Sequence, residues 1–285
     1  MTNLHTIVKF FFGLSIFFLG LFYQPFCLAH TNEMHRHSRI VGKNDQPSIK
    51  MSVERIVSGR GKDLVFVKLT EMGTNKPIHL QDLNEVHTQK IHMLIIDDSL
   101  SDYSHVHPVA TEEPGVYQFS WKPNKKDANY RIWADLVPVN TMKQEYIIAD
   151  LYKSKSNFAQ IIPRITTESV VGGYKFKLSF DKPKLELGKA TMGKIDITDA
   201  QGNPVHNLEP IMGAYAHIVG FSDDFNTVMH VHPMGTEPSQ ATDRGGPELN
   251  FHIEPQKAGA IKLFAQVKID GKELFVPFSY YASVG

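Results

Sequence analysis

The sequence lacks the residues and motifs on which several large classes of protein depend. A single cysteine, Cys27, excludes an intrachain disulfide and a metal site built from thiolates. Lysine plus arginine equals aspartate plus glutamate, so the formal net charge is zero, which argues against nucleic acid or an anionic membrane surface as the main partner. No G-x-S-x-G elbow, P-loop, H-E-x-x-H motif or catalytic cysteine is present. The sequence therefore offers no standard catalytic motif.

Long hydrophobic runs are also missing, and the one near the N-terminus covers only residues 10–22. Such a run is too short to cross a bilayer comfortably. Lys9 precedes it, and Cys27-Leu28-Ala29 follows as a small-x-small cleavage site. This arrangement predicts a secretory signal peptide over residues 1–29, with an uncleaved anchor as the alternative. The protein is then periplasmic or secreted and meets the membrane only through this segment, before cleavage.

Cleavage after Ala29 would make His30 the first residue of the mature chain. An N-terminal histidine offers both its α-amine and a ring nitrogen to one ion, a chelate suited to copper(II). His35 and His37 follow in the same polar segment. We expect residues 30–47 to form a flexible tail whose histidines are either incidental or capture and hand over metal.

What the chain does contain is a histidine pattern that occurs twice. Residues 92–108 read HMLIIDDSLSDYSHVHP and residues 217–233 read HIVGFSDDFNTVMHVHP, so that H-x12-H-V-H-P repeats 125 residues later. The candidate metal ligands are His92, His105 and His107 in the first copy and His217, His230 and His232 in the second.

Each copy of the pattern predicts a β-hairpin. An apolar run follows the first histidine, an acidic turn comes next, and the H-V-H segment can return as the partner strand. Residues two apart on a strand share a face, and cross-strand neighbours lie roughly 5–8 Å apart at Cβ. Three imidazoles at this separation can bind one ion through bonds of about 2 Å. The sequence therefore predicts one three-histidine site in each half.

Runs of alternating apolar residues, without helical periodicity, predict the fold. Six short strand-like runs separated by turn residues lie within residues 48–151, and the pattern restarts at residue 174 after a linker at 152–173. The I-W-A sequence at 132–134 mirrors L-F-A at 263–265. We predict an all-β chain of two tandem immunoglobulin-like β-sandwich domains, residues 48–151 and 174–285.

These features resemble a group of exported bacterial immunoglobulin-like domains. The histidine-led apolar strand, the acidic turn, HVHP and the later I-W-A or L-F-A strand are similar to YtkA-like and CopC-like periplasmic modules. The resemblance covers residues 48–150 and 174–280. It implies heavy-metal, chiefly copper, handling, with a metal-transport or delivery protein as partner. CopC-like proteins begin at a mature N-terminal histidine, which His30 would match, but the rest of their ligand pattern does not carry over.

The ligand chemistry leaves the metal open between copper and zinc. Imidazoles accept copper(II) and zinc, whereas thioethers select copper(I). Met93, Met229 and Met234 lie close to the triplets, and Met212 aligns with His87. Methionine is more often a core residue. We predict a metal-binding protein for buffering, delivery or resistance, with copper favoured over zinc and Met229 and Met234 as the first candidate additional ligands.

Three alternatives to a binding protein stay open. Glu112 and Glu237 each follow the last histidine of their triplet by five residues, which gives the opening half of a cupin signature, although Ser99 and Asp224 stand where a cupin has glycine. A two-domain cupin enzyme is therefore one alternative. A zinc hydrolase is another, because three histidines leave a coordination position for water. The third is an adhesion or scaffold protein whose histidines merely end strands. A non-catalytic role is favoured.

Overall fold

The computed structural model describes residues 46–125, 127–152, 164–231 and 233–285, leaving out the His230 side chain. The regular structure of these residues is β-strand, apart from one 3-10 turn at Leu80–Asp82. Across the same ranges, no helix has the length and apolarity needed to cross a membrane. The all-β fold predicted from the sequence is confirmed.

The first half of the chain is a β-sandwich. Its strands are β1 (Ile49–Ser58), β2 (Asp63–Glu71), β3 (Leu83–Asn84), β4 (His92–Asp97), β5 (Tyr103–Val106), β6 (Val109–Ala110), β7 (Val116–Trp121), β8 (Tyr130–Pro138) and β9 (Glu145–Tyr152). One sheet has the order β1-β2-β7-β6, and in the other β4 pairs with β5 and β8, while β8 also pairs with β9 and β3. This division of strands is that of an immunoglobulin-type sandwich.

The second half repeats this sandwich. Its strands are β10 (Glu168–Val171), β11 (Tyr174–Phe180), β12 (Leu185–Glu186), β13 (Thr191–Thr198), β14 (Leu208–Glu209), β15 (His217–Ser222), β16 (Val228–Val231), β17 (Pro233–Met234), β18 (Glu248–Ile253), β19 (Gly259–Ile269) and β20 (Lys272–Ser283). One sheet has the order β10-β11-β13-β18-β17 and the other β12-β20-β19-β15-β16, with β14 paired to β19. Strand β10 lies within residues 152–173, which the sequence predicted to be linker.

Alternation along the strands places one buried core inside each sandwich. In the first half, Val65, Val67 and Leu69 of β2 belong to the same buried cluster as Ile132 and Ala134 of β8. A second cluster in the other half joins strands of its two sheets in the same way. Each half thus buries its own apolar faces, and the two sandwiches fall within a single compact unit.

A third apolar cluster joins the two halves, and its residues are sequence counterparts of one another. The counterparts are Leu94 and Val219, Ile96 and Phe221, Leu100 and Phe225, Tyr103 and Val228, Trp133 and Phe264, and, by strand register, Tyr146 and Phe275. The same surface is therefore used by both halves, as in the interface of a two-fold symmetric dimer. The interface buries the outer faces of the two histidine-bearing sheets.

This interface explains why β4 and β15 are buried along their whole length. In β4, Met93 and Ile95 point into the sandwich core, whereas Leu94 and Ile96 point into the interface. Because side chains alternate between faces, His92 lies on the interface face with Leu94. His217 occupies the corresponding position next to Val219. The two leading histidines of the repeat therefore lie at the contact between the halves.

Replacing Phe221 with alanine tests the energetic weight of this interface. Phe221 is 1% exposed and packs among the bridging residues. We expect Phe221→Ala to lower the free energy of unfolding by about 3–5 kcal/mol, the usual cost of removing a buried phenylalanine. Val170→Ala is the control, because Val170 is 74% exposed and its truncation should change stability by no more than about 0.5 kcal/mol. Urea unfolding of both variants measures the difference; equal stabilities would contradict a buried interface.

The turn of the first hairpin is organised by the carboxylate of Asp97. Its Oδ1 accepts hydrogen bonds from the amides of Ser101 and Asp102 at 2.8 Å, and its Oδ2 accepts from Lys125 Nζ at 2.8 Å and from the Ser99 side chain. Burial alone would raise the pKa of Asp97, but these hydrogen bonds lower it overall. The ionised carboxylate therefore fixes the turn that brings β5 back alongside β4.

Asp97→Asn should destabilise the protein in a pH-dependent manner. We expect a loss of about 1–3 kcal/mol at neutral pH, because the charge-assisted bonds are weakened. A group whose folded pKa is lowered contributes stability above its unfolded pKa of about 4 and loses it as the pH falls through the folded value. The stability difference between wild type and variant should therefore be full at pH 7 and shrink below about pH 4. Chemical unfolding across this range measures it, and a pH-independent difference would contradict the role of the charge.

Candidate metal centre

The hairpin β4–β5 brings the first three candidate histidines onto one face. Leu94 pairs with His105 and Met93 pairs with Val106, which places the turn near residues 99 and 100. His92 lies two residues before Leu94, and His107 lies two residues after His105. The period of two along each strand then points all three rings toward the interface with the second half. The hairpin is the one predicted from the H-x12-H-V-H spacing.

Three ring nitrogens converge within this triad of His92, His105 and His107. The His92 Nδ1 lies 3.1 Å from the His105 Nε2 and 3.1 Å from the His107 Nε2. The three ligand atoms all lie within 4.8 Å of one another. Nitrogens bound to one tetrahedral ion at 2.0–2.1 Å would be about 3.3 Å apart. The observed spacing therefore approaches that of a metal site.

The hydrogen bonds of the outer ring nitrogens determine the tautomers of two of these rings. The His92 Nε2 lies 2.9 Å from the carbonyl oxygen of Val86, so this nitrogen must carry the proton. The His105 Nδ1 lies 2.9 Å from the Oε1 of Gln266, which likewise can only accept. The inner nitrogens, His92 Nδ1 and His105 Nε2, consequently present lone pairs to each other in the neutral rings.

Two lone pairs at 3.1 Å repel each other unless a cation lies between them or one ring gains a proton. Burial lowers the pKa of His92, and the opposing effects of the Asp135 charge and the hydrogen bond to Val86 do not fully offset it. Burial also lowers the pKa of His107. Protonation of His92 and of His107 is thus disfavoured by their surroundings. A metal ion would satisfy the same lone pairs without requiring a proton.

Two further histidine rings border the triad. The His217 ring centroid lies 4.6 Å from that of His105 and 6.0 Å from that of His92. The His87 ring lies 6.2 Å from both His92 and His217. Both ring nitrogens of His217 and the Nε2 of His87 are buried. Five imidazoles from both halves of the chain therefore share one largely enclosed region.

The predicted second site is only partly visible. Val219 pairs with the backbone of His230 in the register that Leu94 and His105 adopt in the first half. The side chain of His230, all of His232 and all of His30 lie outside the described residues. His217, predicted as a ligand of the second site, also lies against the triad of the first half. The reason is that both leading histidines project from the sheet faces that form the interface.

Sequence reasoning missed three polar residues at this centre. Asp135 pairs with His92 across β4 and β8, and Gln266 pairs with His217 across β15 and β19 in the same register. The repeat of I-W-A and L-F-A, extended by one residue, would have pointed to Asp135 and Gln266. His87 carries no repeat signal, since its counterpart is Met212. His87 and Met212 each lie in a turn and have a positive φ, 50° at His87 and 51° at Met212.

The candidate methionine and glutamate ligands are not part of the triad. Met93 and Met229 are 0% and 3% exposed and belong to the sandwich cores, because each points to the opposite face from its neighbouring histidine position. Met234 is 45% exposed. Glu112 and Glu237 are exposed as well. The proposal of Met229 as an additional ligand is therefore corrected, since its thioether fills the core of the second sandwich.

Leucine replacements at Met93 and Met229 test this assignment. Met93→Leu and Met229→Leu should each cost less than about 1.5 kcal/mol of stability, because leucine nearly conserves the volume. Neither should change the affinity for copper(I), since the thioethers face away from the histidines. Copper(I) competition titration and copper-edge X-ray absorption provide the readouts. A metal–sulfur distance in the wild type that disappears in either variant would contradict the core assignment.

Fold and histidine cluster together define a tandem β-sandwich protein whose candidate site lies at the contact between its halves. The chain belongs to the family described as "Domain of unknown function (DUF8832)", which matches residues 41–148 and 168–284. The two matched segments correspond to the two sandwiches. No curated protein matched the chain.

Similarity to solved structures is distant. MtrC from Shewanella baltica OS185 shares 7% identity at a TM-score of 0.24, covering 83% of this chain and 70% of that chain. A β-glycosidase from Bacteroides vulgatus shares 12% identity at a TM-score of 0.22, covering 82% of this chain and 25% of that chain. A chimeric titin Z1Z2-Z1Z2 tandem shares 12% identity at a TM-score of 0.16, covering 79% of this chain and 91% of that chain. At these scores the likenesses define neither the fold nor the function.

Proposed function

We propose that the protein is an exported metal-binding protein that holds copper, or alternatively zinc, at the His92, His105 and His107 triad. The observation that carries this proposal is the 3.1 Å approach of the His92 Nδ1 and the His105 Nε2, both of which present lone pairs. A cation between them converts this repulsion into two coordination bonds. The signal peptide predicted over residues 1–29 supports a periplasmic or secreted location.

The donor set supports a borderline transition metal. Three neutral imidazoles suit copper(II) and zinc. A histidine that binds a metal through one ring nitrogen usually donates the N–H of its other ring nitrogen to a carbonyl or carboxylate oxygen. The bonds from His92 to Val86 and from His105 to Gln266 are of this kind. A buried carboxylate, Asp135, adds negative charge close to His92. Together these groups favour a cation over an empty cluster of rings.

The exposure of the rings supports a site that can exchange its ion. His92 and His105 are buried, whereas His107 is the least buried of the triad. An ion can therefore enter or leave on the His107 side while the other two ligands stay fixed in the interface. Metal buffering, delivery to a transport protein, or resistance are the roles that fit this arrangement.

The second copy of the repeat extends the proposal. His217, His230 and His232 form the corresponding set, and the shared backbone register of the two hairpins supports an equivalent arrangement. His30, as the N-terminal residue after cleavage, would provide a further copper(II) ligand. These assignments form part of the same proposed metal-handling function.

His107→Ala is the variant that tests the proposal most cleanly. Because His107 is the least buried ring of the triad, its removal should leave the fold intact. We expect affinity for the bound metal to fall by more than about 100-fold, since losing a ligand exceeds the 10–100-fold effect of losing a residue that supports one. Titrations with copper(I), copper(II) and zinc, each followed by calorimetry or competition with a chelator, measure this change.

His206→Ala is the matched control for this variant. His206 is an exposed histidine outside the cluster, so its removal should leave the affinity unchanged. Thermal unfolding of both variants without metal verifies that the fold is retained. If the wild-type protein binds none of the three ions at neutral pH, or if His107→Ala binds as tightly as the wild type, the proposed function is wrong.

A further inference from the structure

A hydrogen-bond chain from the second half reaches the triad of the first half. The Nδ1 of His105 lies 2.9 Å from the Oε1 of Gln266, which is 161 residues away in the sequence. The Nε2 of Gln266 in turn donates to the Oε2 of Glu273 at 3.0 Å. Gln266 is 4% exposed and lies on β19, next to His217 on β15. Gln266 on β19 and Glu273 on β20 of the second sandwich therefore form a hydrogen-bond chain that ends on His105, a candidate ligand in the first.

The carboxylate of Glu273 determines which way the Gln266 amide points. A carboxylate accepts hydrogen bonds and cannot donate them, so the amide NH2 group must face Glu273. The Oε1 of Gln266 then faces His105 and requires the proton on Nδ1. A reversed amide would place its oxygen against the carboxylate and its NH2 group against the ring. The Glu273 side chain thereby selects the His105 tautomer whose Nε2 can bind an ion.

The corresponding pair in the first half has the opposite polarity. Asp135 occupies the register position of Gln266, and its Oδ1 accepts a hydrogen bond from the Nε2 of Gln144 at 2.7 Å. In the first half the carboxylate is Asp135, on β8, which pairs directly with the histidine-bearing β4. In the second half it is Glu273, on β20, which is one strand further from the histidine-bearing β15. The duplication has kept an acid–amide pair at this position and exchanged its two members. This arrangement places one buried carboxylate, rather than two, at the interface.

We propose that Gln266 is a positioning residue for the metal centre, and that the centre is complete only when the second half is docked on the first. This inference rests on the proposed metal-binding function. It adds that the ligand tautomer of His105 is determined across the interface, by the pair Gln266–Glu273. Because coupling is reciprocal, metal binding in turn stabilises the docked arrangement of the halves.

Two variants of the full chain separate positioning from simple packing. Gln266→Leu keeps most of the side-chain volume but removes the acceptor, and it should weaken metal affinity by about 10- to 100-fold. The double variant Gln266→Glu with Glu273→Gln restores an acceptor and reproduces the polarity of the Asp135–Gln144 pair. It should return the affinity to the wild-type value or tighter. Gln256→Leu, at an exposed glutamine in the same half, is the control that should not change affinity.

The tautomer of His105 provides a readout that does not require metal. Long-range 1H–15N correlation spectra of the metal-free protein should show the proton on Nδ1 in the wild type and the double variant. In Gln266→Leu the spectrum should shift toward the Nε2-protonated form. Wild-type affinity in Gln266→Leu would overturn the inference, as would an unchanged tautomer in that variant or a loss of affinity that the double variant does not rescue.

Failure of the two proposals can be told apart. If the wild-type protein binds no copper or zinc, the metal-binding function is wrong, yet the spectra still report whether Gln266 determines the His105 tautomer. If the wild type binds metal and Gln266→Leu binds equally well, the function stands and the positioning role of Gln266 is wrong.

Discussion

The approach of imidazole nitrogens inside a buried interface is the constraint on which the rest of this structure depends. Imidazole rings are polar, and burying several together costs free energy unless each nitrogen gains a partner. In the triad the outer nitrogens of His92 and His105 donate to fixed acceptors, which leaves their inner lone pairs facing each other. A cation between them would relieve the repulsion. The surrounding sheets hold the rings where such an ion would bind.

Duplication supplies the architecture that makes this burial possible. Each half forms its own sandwich core, and the outer face of its histidine-bearing sheet would be an exposed apolar patch in isolation. Packing of the Trp133 ring against the rings of Phe221 and Phe225 covers both patches at once. The side chain of Arg131 adds a polar contact across the same boundary, donating to the carbonyl oxygen of Phe225 at 2.6 Å. The leading histidines sit at the edge of this contact because they share its strand face.

The sequence predicted the strands and the first hairpin because those features follow from local periodicity. Alternation of apolar residues indicated the strands directly, and the spacing of His92 from His105 placed the turn of the first hairpin correctly. The contact between the halves could not be predicted in this way. The apolar run of β4 is compatible with burial on one or both faces, and the bridging residues are scattered over several strands. Gln266 and Asp135 were missed because they differ in residue type, and only their position directly after the I-W-A and L-F-A repeat marks them as counterparts.

The most direct test of the central claim is anomalous X-ray diffraction from crystals of the full-length protein grown with copper or with zinc. The account predicts an anomalous peak about 2.0–2.1 Å from the His92 Nδ1, the His105 Nε2 and the His107 Nε2 together. A structure at neutral pH in which these three nitrogens hold no ion in the presence of either metal would contradict it.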